Sequence, residues 1–202
     1  MANQKAILLL NGEPYEGEID AGNAKVYCCD GAYRWAHGKV RIDENVGDFD
    51  SLDVPPIPVP KEIYPAEKNM TDGEIALFRA IEEGAKKITV YGGGGKREDH
   101  FLGNVALLYA AHARGVKAEM ITAHSRIFVA EGDTPLNGLN GKTVSLFPFF
   151  GEAHIIESRG LKYPLSPLTL PLGSTRGISN VVIKNEAGFV SENAVLVLIN
   201  TK

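Results

Sequence analysis

The chain has 202 residues, of which 44% are hydrophobic and 23% charged, with a formal net charge of -4. These are the proportions of an ordinary globular protein, long enough to bury a core without disulfides or structural metals. The acidic balance argues against nucleic acid or an anionic membrane as partner, since both select basic surfaces. The two cysteines, Cys28 and Cys29, are adjacent. That spacing gives neither a disulfide framework nor a zinc site, and an extended strand would bury one thiol in each face.

"MANQKAILLLNGE" opens the chain, with an apolar run too short for a secretory signal core. No segment is long enough to span a bilayer as a helix, so a reducing, cytoplasmic setting is expected. "KAILLL" and "KVYCC" read as buried strands, and "GAYRWAHG" as a short helix after the second. "VRIDENVG" can carry another strand, while the proline-rich "DVPPIPVPKEIYP" reads as an extended surface connection. In "MTDGEIALFRAIEEGAKK", Thr71 and Glu74 have capping-box spacing, and Leu77, Phe78, Ile81 and Ala85 form a helical apolar stripe. "KITVYGGGG" is a strand entering a glycine turn. "DHFLGNVALLYAAHARG" is a helix with Phe101, Val105 and Leu108 on one side and Gly115 as its stop. "VKAEMITAH" is a further strand.

After about residue 124 the helical periods vanish. "RIFVAEG", "KTVSLFPFF", "AHIIES", "LKYPLSPLTLPL", "NVVIKNEAGFVS" and "AVLVLIN" are short runs between Gly, Asn and Pro. The pattern predicts an α/β domain over residues 1–124, built as a doubly wound parallel sheet, and a small all-β sandwich or barrel over 125–202.

Asp30, Asp48, Asp50, Asp72 and Asp99 each follow a strand or begin a helix, which brings five carboxylates to one rim at the carboxyl ends of the strands. Clustered carboxylates are costly without a cation among them, and magnesium fits the need, taking one or two carboxylates plus phosphate oxygens. Singly, each has an ordinary explanation: Asp-x-Asp as a solvated turn, Asp72 as helix-start charge, Asp99 as an N-cap. Gly92 to Gly95 let backbone approach a ligand closely, and Lys96 and Arg97 can pair with phosphate. Neither a dinucleotide fingerprint nor a P-loop is present.

"DGA" at Asp30, "GDFDS" at Gly47, "TDGEIAL" at Thr71, "REDHFLGN" at Arg97, "GLKYPL" at Gly160 and "STRGISN" at Ser174 stand in the order found in thiamine pyrophosphokinases, which the chain resembles over nearly its whole length. The resemblance implies transfer of diphosphate from ATP to thiamine with release of AMP. It implies that Asp48, Asp50 and Asp72 hold magnesium and that Asp30, Gly31, Ser51, Thr71, Gly92, Gly95, Lys96 and Arg97 handle ATP. Asp99 either orients or deprotonates the thiamine hydroxyl or is a further metal ligand, and Arg97 stabilises the transferring group. Ser179 and Asn180 in "GISN" would hold the thiamine pyrimidine; their alternative is a polar hairpin turn. A homodimer with the site between domains of two subunits is implied as well. His100 reads as bracing the site, and Trp35 as packing. Two positions depart from the family pattern: Asn69 in "KNMTD" replaces an Asp, and Lys96 in "GKREDH" replaces a glycine. The rivals are a pyrophosphokinase for a pterin alcohol and a ligand sensor without activity.

Overall fold

The computed structural model describes residues 4–49, 52 and 69–201. The chain divides into two compact units, residues 1–123 and 124–202.

In the first unit, β1 (Lys5–Leu9), β2 (Lys25–Cys29), β3 (Glu44–Val46), β4 (Lys87–Tyr91) and β5 (Lys117–Ile121) pair in parallel, in the order β3-β2-β1-β4-β5. Unbroken apolar runs suit this arrangement, because both faces of the central strands are covered. One face packs Ile7, Leu9, Val26 and Cys28 against Ala32 and Ala36, around the short helix α1 (Tyr33–Ala36). The other face meets α2 (Asp72–Glu82) and α3 (Glu98–His112). These helices lie close: a methyl group added at Gly73 of α2 would sit 3.2 Å from Leu10 and 3.3 Å from Leu107 of α3. Both cysteines are buried, and neither forms a disulfide. Burial pushes the Cys28 thiol up to about 12, with the Asp30 charge adding to the shift.

Local chemistry sets the helix limits. The Thr71 hydroxyl accepts from the Glu74 backbone N–H at 3.2 Å, capping α2. Gly115, with φ of 69°, turns the chain out after α3. From β1 the chain proceeds outward through β2 and β3, then returns to β1's other edge as β4 and continues to β5. The connections diverge between β1 and β4, which opens a crevice at the carboxyl ends of these strands.

The second unit holds β6 (Ser125–Pro135), β7 (Thr143–Phe147), β8 (Ala153–Arg159), β9 (Leu168–Leu170), β10 (Asn180–Val181) and β11 (Gly188–Asn200). β11 runs antiparallel to β6 and, on its other edge, pairs first with β8 and then with β7. β10 extends the β7 edge and β9 the β8 edge. Leu146, Ile155, Leu170, Phe189 and Val197 fill the core between them. The sequence separates "NVVIKNEAGFVS" from "AVLVLIN", but Gly188 to Asn200 form one strand. A register shift between Ser191 and Val195 absorbs the polar interruption and lets the strand change partners. "LKYPLSPLTLPL" supplies only β9, because Pro164, Pro167 and Pro171 withhold ladder donors. Among the described residues no helix is long and apolar enough to cross a membrane.

Candidate active site

The crevice between β1 and β4 encloses about 520 Å³. Asn11 and Gly12 enter it from the end of β1, and Asp30 from the end of β2. Thr71 and Asp72 come from the start of α2. The glycine loop after β4 brings Gly93, Gly95, Lys96 and Arg97, and α3 brings Asp99, His100 and Asn104. Seven of the residues expected at the site, Asp30, Thr71, Asp72, Gly95, Lys96, Arg97 and Asp99, therefore share one cleft.

Others lie elsewhere. Gly31 is buried behind the wall, against the Asn11 side chain. Gly92 packs under the cleft, where an added methyl would collide with the Leu10 carbonyl and come within 2.8 Å of Trp35. Asp48 does not line the cleft, though its neighbour Gly47 abuts Asp30, with room for a methyl only 3.0 Å from the Asp30 Cβ. Asp50 and Ser51, like the proline-rich connection, lie outside the described residues. Asp99 is not an N-cap: Arg97 holds that position, and Asp99 sits inside the first turn of α3.

Arg97 donates to Asp99 through Nε at 3.1 Å and Nη2 at 2.6 Å, a bidentate fork at the cleft mouth. The guanidinium, with help from the His100 backbone N–H, holds the Asp99 carboxyl down at about 2. Lys96 stands beside the pair in a left-handed conformation, with φ of 56°. Among the described residues, the non-glycine positions with positive φ are Asp30, Phe49, Lys96 and Ser179. Each falls in a different one of the motifs singled out above. Such conformations cost of order 1–3 kcal/mol and collect where function fixes the backbone.

In the second unit, Ser179 is exposed, and its N–H donates to the Ser145 hydroxyl at 3.0 Å. Asn180 is only 2% exposed. Its Oδ1 accepts from the backbone N–H of Tyr163 at 3.0 Å and of Val181 at 2.8 Å. Its Nδ2 donates to the Tyr163 carbonyl at 2.6 Å. The amide thus ties "GISN" to "GLKYPL", whichever ligand lies beyond.

Sequence reasoning missed Asn11, Gly12 and Asn104. The Asn-Gly pair directly after "AILLL" was the available signal, since a turn at the end of a buried strand falls on the ligand-binding rim.

Among the described residues no three His, Cys, Asp or Glu side chains converge as a ready-made metal cage. Magnesium does not need one: it keeps several waters and takes few carboxylates, with phosphate oxygens completing the shell. The hard oxygen donors of Asp30 and Asp72 in this cleft suit that ion.

A parallel sheet with a ligand crevice at its switch point, lined by carboxylates, cations and a glycine loop, is the architecture of α/β proteins that bind phosphorylated ligands. Residues 21–120 match the model of the thiamin pyrophosphokinase catalytic domain, and residues 131–196 that of the thiamin pyrophosphokinase vitamin B1 binding domain. The thiamine pyrophosphokinase of Bacillus subtilis is 32% identical over 166 residues, covering 78% of each chain. The crystal structure of the enzyme named thiamine pyrophosphokinase from that organism superposes with a TM-score of 0.82 at 28% identity over 97% of each chain. The Geobacillus thermodenitrificans structure gives 0.77 at 26% identity, covering 98% of this chain and 97% of that one. The Candida albicans structure, 17% identical, shares the fold with a TM-score of 0.77, covering 99% of this chain and 90% of that one. The chain belongs to the thiamine pyrophosphokinase family.

Proposed function

We propose that the chain transfers the diphosphate of ATP to thiamine, giving thiamine diphosphate and AMP. The observation that carries this reading is the meeting of Asp30, Asp72 and Asp99 with Lys96 and Arg97 in one cleft at the sheet's switch point. The hydroxyethyl oxygen of thiamine attacks the β-phosphorus of ATP; the bond from that phosphorus to the α–β bridging oxygen breaks and AMP leaves. The hydroxyl proton passes to solvent or to a carboxylate. Little covalent chemistry is asked of the protein, so positioning and charge compensation carry the rate. Lys96 and Arg97 offset phosphate charge, Thr71 and Gly95 shape the phosphate path, and Asp99 orients the attacking hydroxyl. Asp72, with Asp30 beside it in the cleft, would hold magnesium, and Asp48 and Asp50 are the further candidates that the family resemblance implies; the ion would supply charge neutralisation for the phosphates.

We assign ATP binding to residues 1–124, read as a doubly wound sheet, and the thiamine end to the β unit of residues 125–202, where Ser179 and the loop fixed by Asn180 are the candidates. The exposed apolar side chains of Ile156, Tyr163, Leu172, Ile178 and Ile183 support a homodimer. Two buried thiols that form no disulfide support a reducing, cytoplasmic setting.

The test is to incubate the protein with thiamine, ATP and magnesium and quantify AMP and thiamine diphosphate together. Equal amounts are expected, falling by roughly 100-fold in Asp72→Asn. AMP formed on a pterin alcohol but not on thiamine would sink the substrate assignment. Binding of both ligands without AMP would make the chain a sensor.

A further inference from the structure

The glycine loop is bound to its surroundings by its carbonyls. Gly92 O accepts from Gly12 N at 2.7 Å and Gly94 O from Glu13 N at 2.6 Å, so the chain leaving β1 takes up two of them. Beneath these, the Leu10 carbonyl accepts from Trp35 Nε1 at 3.1 Å. The Gly93 carbonyl, between those two, takes neither of these donors. That carbonyl accepts instead from Asn104 Nδ2, at 2.9 Å. Asn104 lies within α3, half-buried, and both partners line the cleft.

A polyphosphate is repelled by carbonyl oxygens and attracted by N–H groups and cations. A loop meant to receive one must therefore turn its carbonyls elsewhere and fix them there. Asparagine is a mediocre helix former, so its place in mid-helix is not explained by propensity. We propose that Asn104 is a positioning residue of the phosphate site: by taking up the Gly93 carbonyl, it sets the glycine loop so that Lys96 and Arg97 face an incoming polyphosphate. The inference rests on the cleft being the nucleotide site.

The experiment compares Mg-ATP binding by calorimetry and the separate Michaelis constants for ATP and thiamine in wild type, Asn104→Ala and Asn104→Asp. Alanine favours the helix at this half-buried position, so the variant folds; thermal unfolding checks it. Loss of one neutral hydrogen bond is expected to weaken Mg-ATP binding by roughly three- to tenfold. The KM for ATP should rise in step while that for thiamine stays unchanged, a split that general loosening would not produce. Asn104→Asp sets a carboxylate against the carbonyl and the phosphates, and should lose more than alanine. Wild-type binding with an unchanged alanine variant, or equal rises in both Michaelis constants, overturns the assignment of Asn104. A wild type that does not bind Mg-ATP overturns the reading of the cleft, and the proposal with it.

Discussion

Arg97 and Asp99 form a two-point ion pair, 3.1 Å and 2.6 Å, at the mouth of the cleft, with both side chains exposed. The Arg97 fork, proposed above to meet phosphate, is engaged by the Asp99 carboxylate. The pair sets the charge of Asp99 more than it stabilises the fold, since exposed ion pairs contribute little.

The pH behaviour follows from that pair. A carboxyl held at about 2 stays ionised at every pH above that value, and the pair is lost only as pH falls through it. Any acid limb of kcat/KM between roughly pH 5 and 8 must then come from another group. Such a limb should persist in Asp99→Asn, whatever the drop in rate. In Arg97→Ala, the Asp99 carboxyl should return toward the ordinary aspartate value of about 3.9, read by carbon-13 shift titration. An Asp99 titration unchanged by loss of Arg97 would contradict the pairing.

Asn180 clamps its own loop to that of Tyr163. Its buried amide makes three hydrogen bonds, two of them to the Tyr163 backbone. Asn180→Ala leaves those groups without their partner and should destabilise the protein by about 1–3 kcal/mol in urea unfolding. Because the "GLKYPL" loop would shift, the KM for thiamine should rise more than that for ATP. Ser179→Ala keeps the clamp, so it separates the cases: a thiamine effect there without loss of stability marks direct contact through the hydroxyl.

Lys96 combines a cation with a left-handed backbone that favours glycine. Lys96→Gly should relieve about 1 kcal/mol of backbone strain, and Lys96→Ala should not. If the ammonium meets phosphate, both variants raise the KM for ATP by similar factors, while only glycine raises the melting temperature. Equal melting temperatures would contradict the strain; unchanged Michaelis constants would contradict the phosphate contact.

The framework of the cleft was legible because its signals are local. Unbroken apolar runs such as "KAILLL" specify buried parallel strands, Thr71 and Glu74 mark a helix start, and the carboxyl ends of strands are where ligands bind. Convergence of Asp30, Asp72 and Asp99 follows from those facts together. What escaped depends on contacts distant in sequence. Four consecutive glycines do not reveal that Gly93 and Gly95 face the cleft while Gly92 packs against Trp35. An asparagine amide looks the same whether it meets a ligand or, as at Asn104 and Asn180, a backbone carbonyl. The interruption in β11 reads as a turn because a register shift and a turn use the same polar residues.

Stability is anchored at the opposite end of the sheet from the cleft. Glu44, the first residue of β3, is 2% exposed and lies 2.7 Å from Lys25 Nζ and 2.5 Å from Arg79 Nε. Lys25 also binds Glu83, which accepts from the Tyr27 hydroxyl at 2.9 Å. The network joins β2, β3 and the last turn of α2, holding the three-residue β3 on the sheet. Glu44→Ala would leave the part-buried Lys25 and Arg79 with Glu83 alone to offset their charge, and should cost up to about 3–5 kcal/mol by urea unfolding. Glu44→Gln keeps shape and some hydrogen bonding and should cost less. Because the cleft lies at the carboxyl ends of the strands, the Michaelis constants of whatever protein remains folded should match wild type. A loss below about 1 kcal/mol would show the charges to be solvated rather than interdependent.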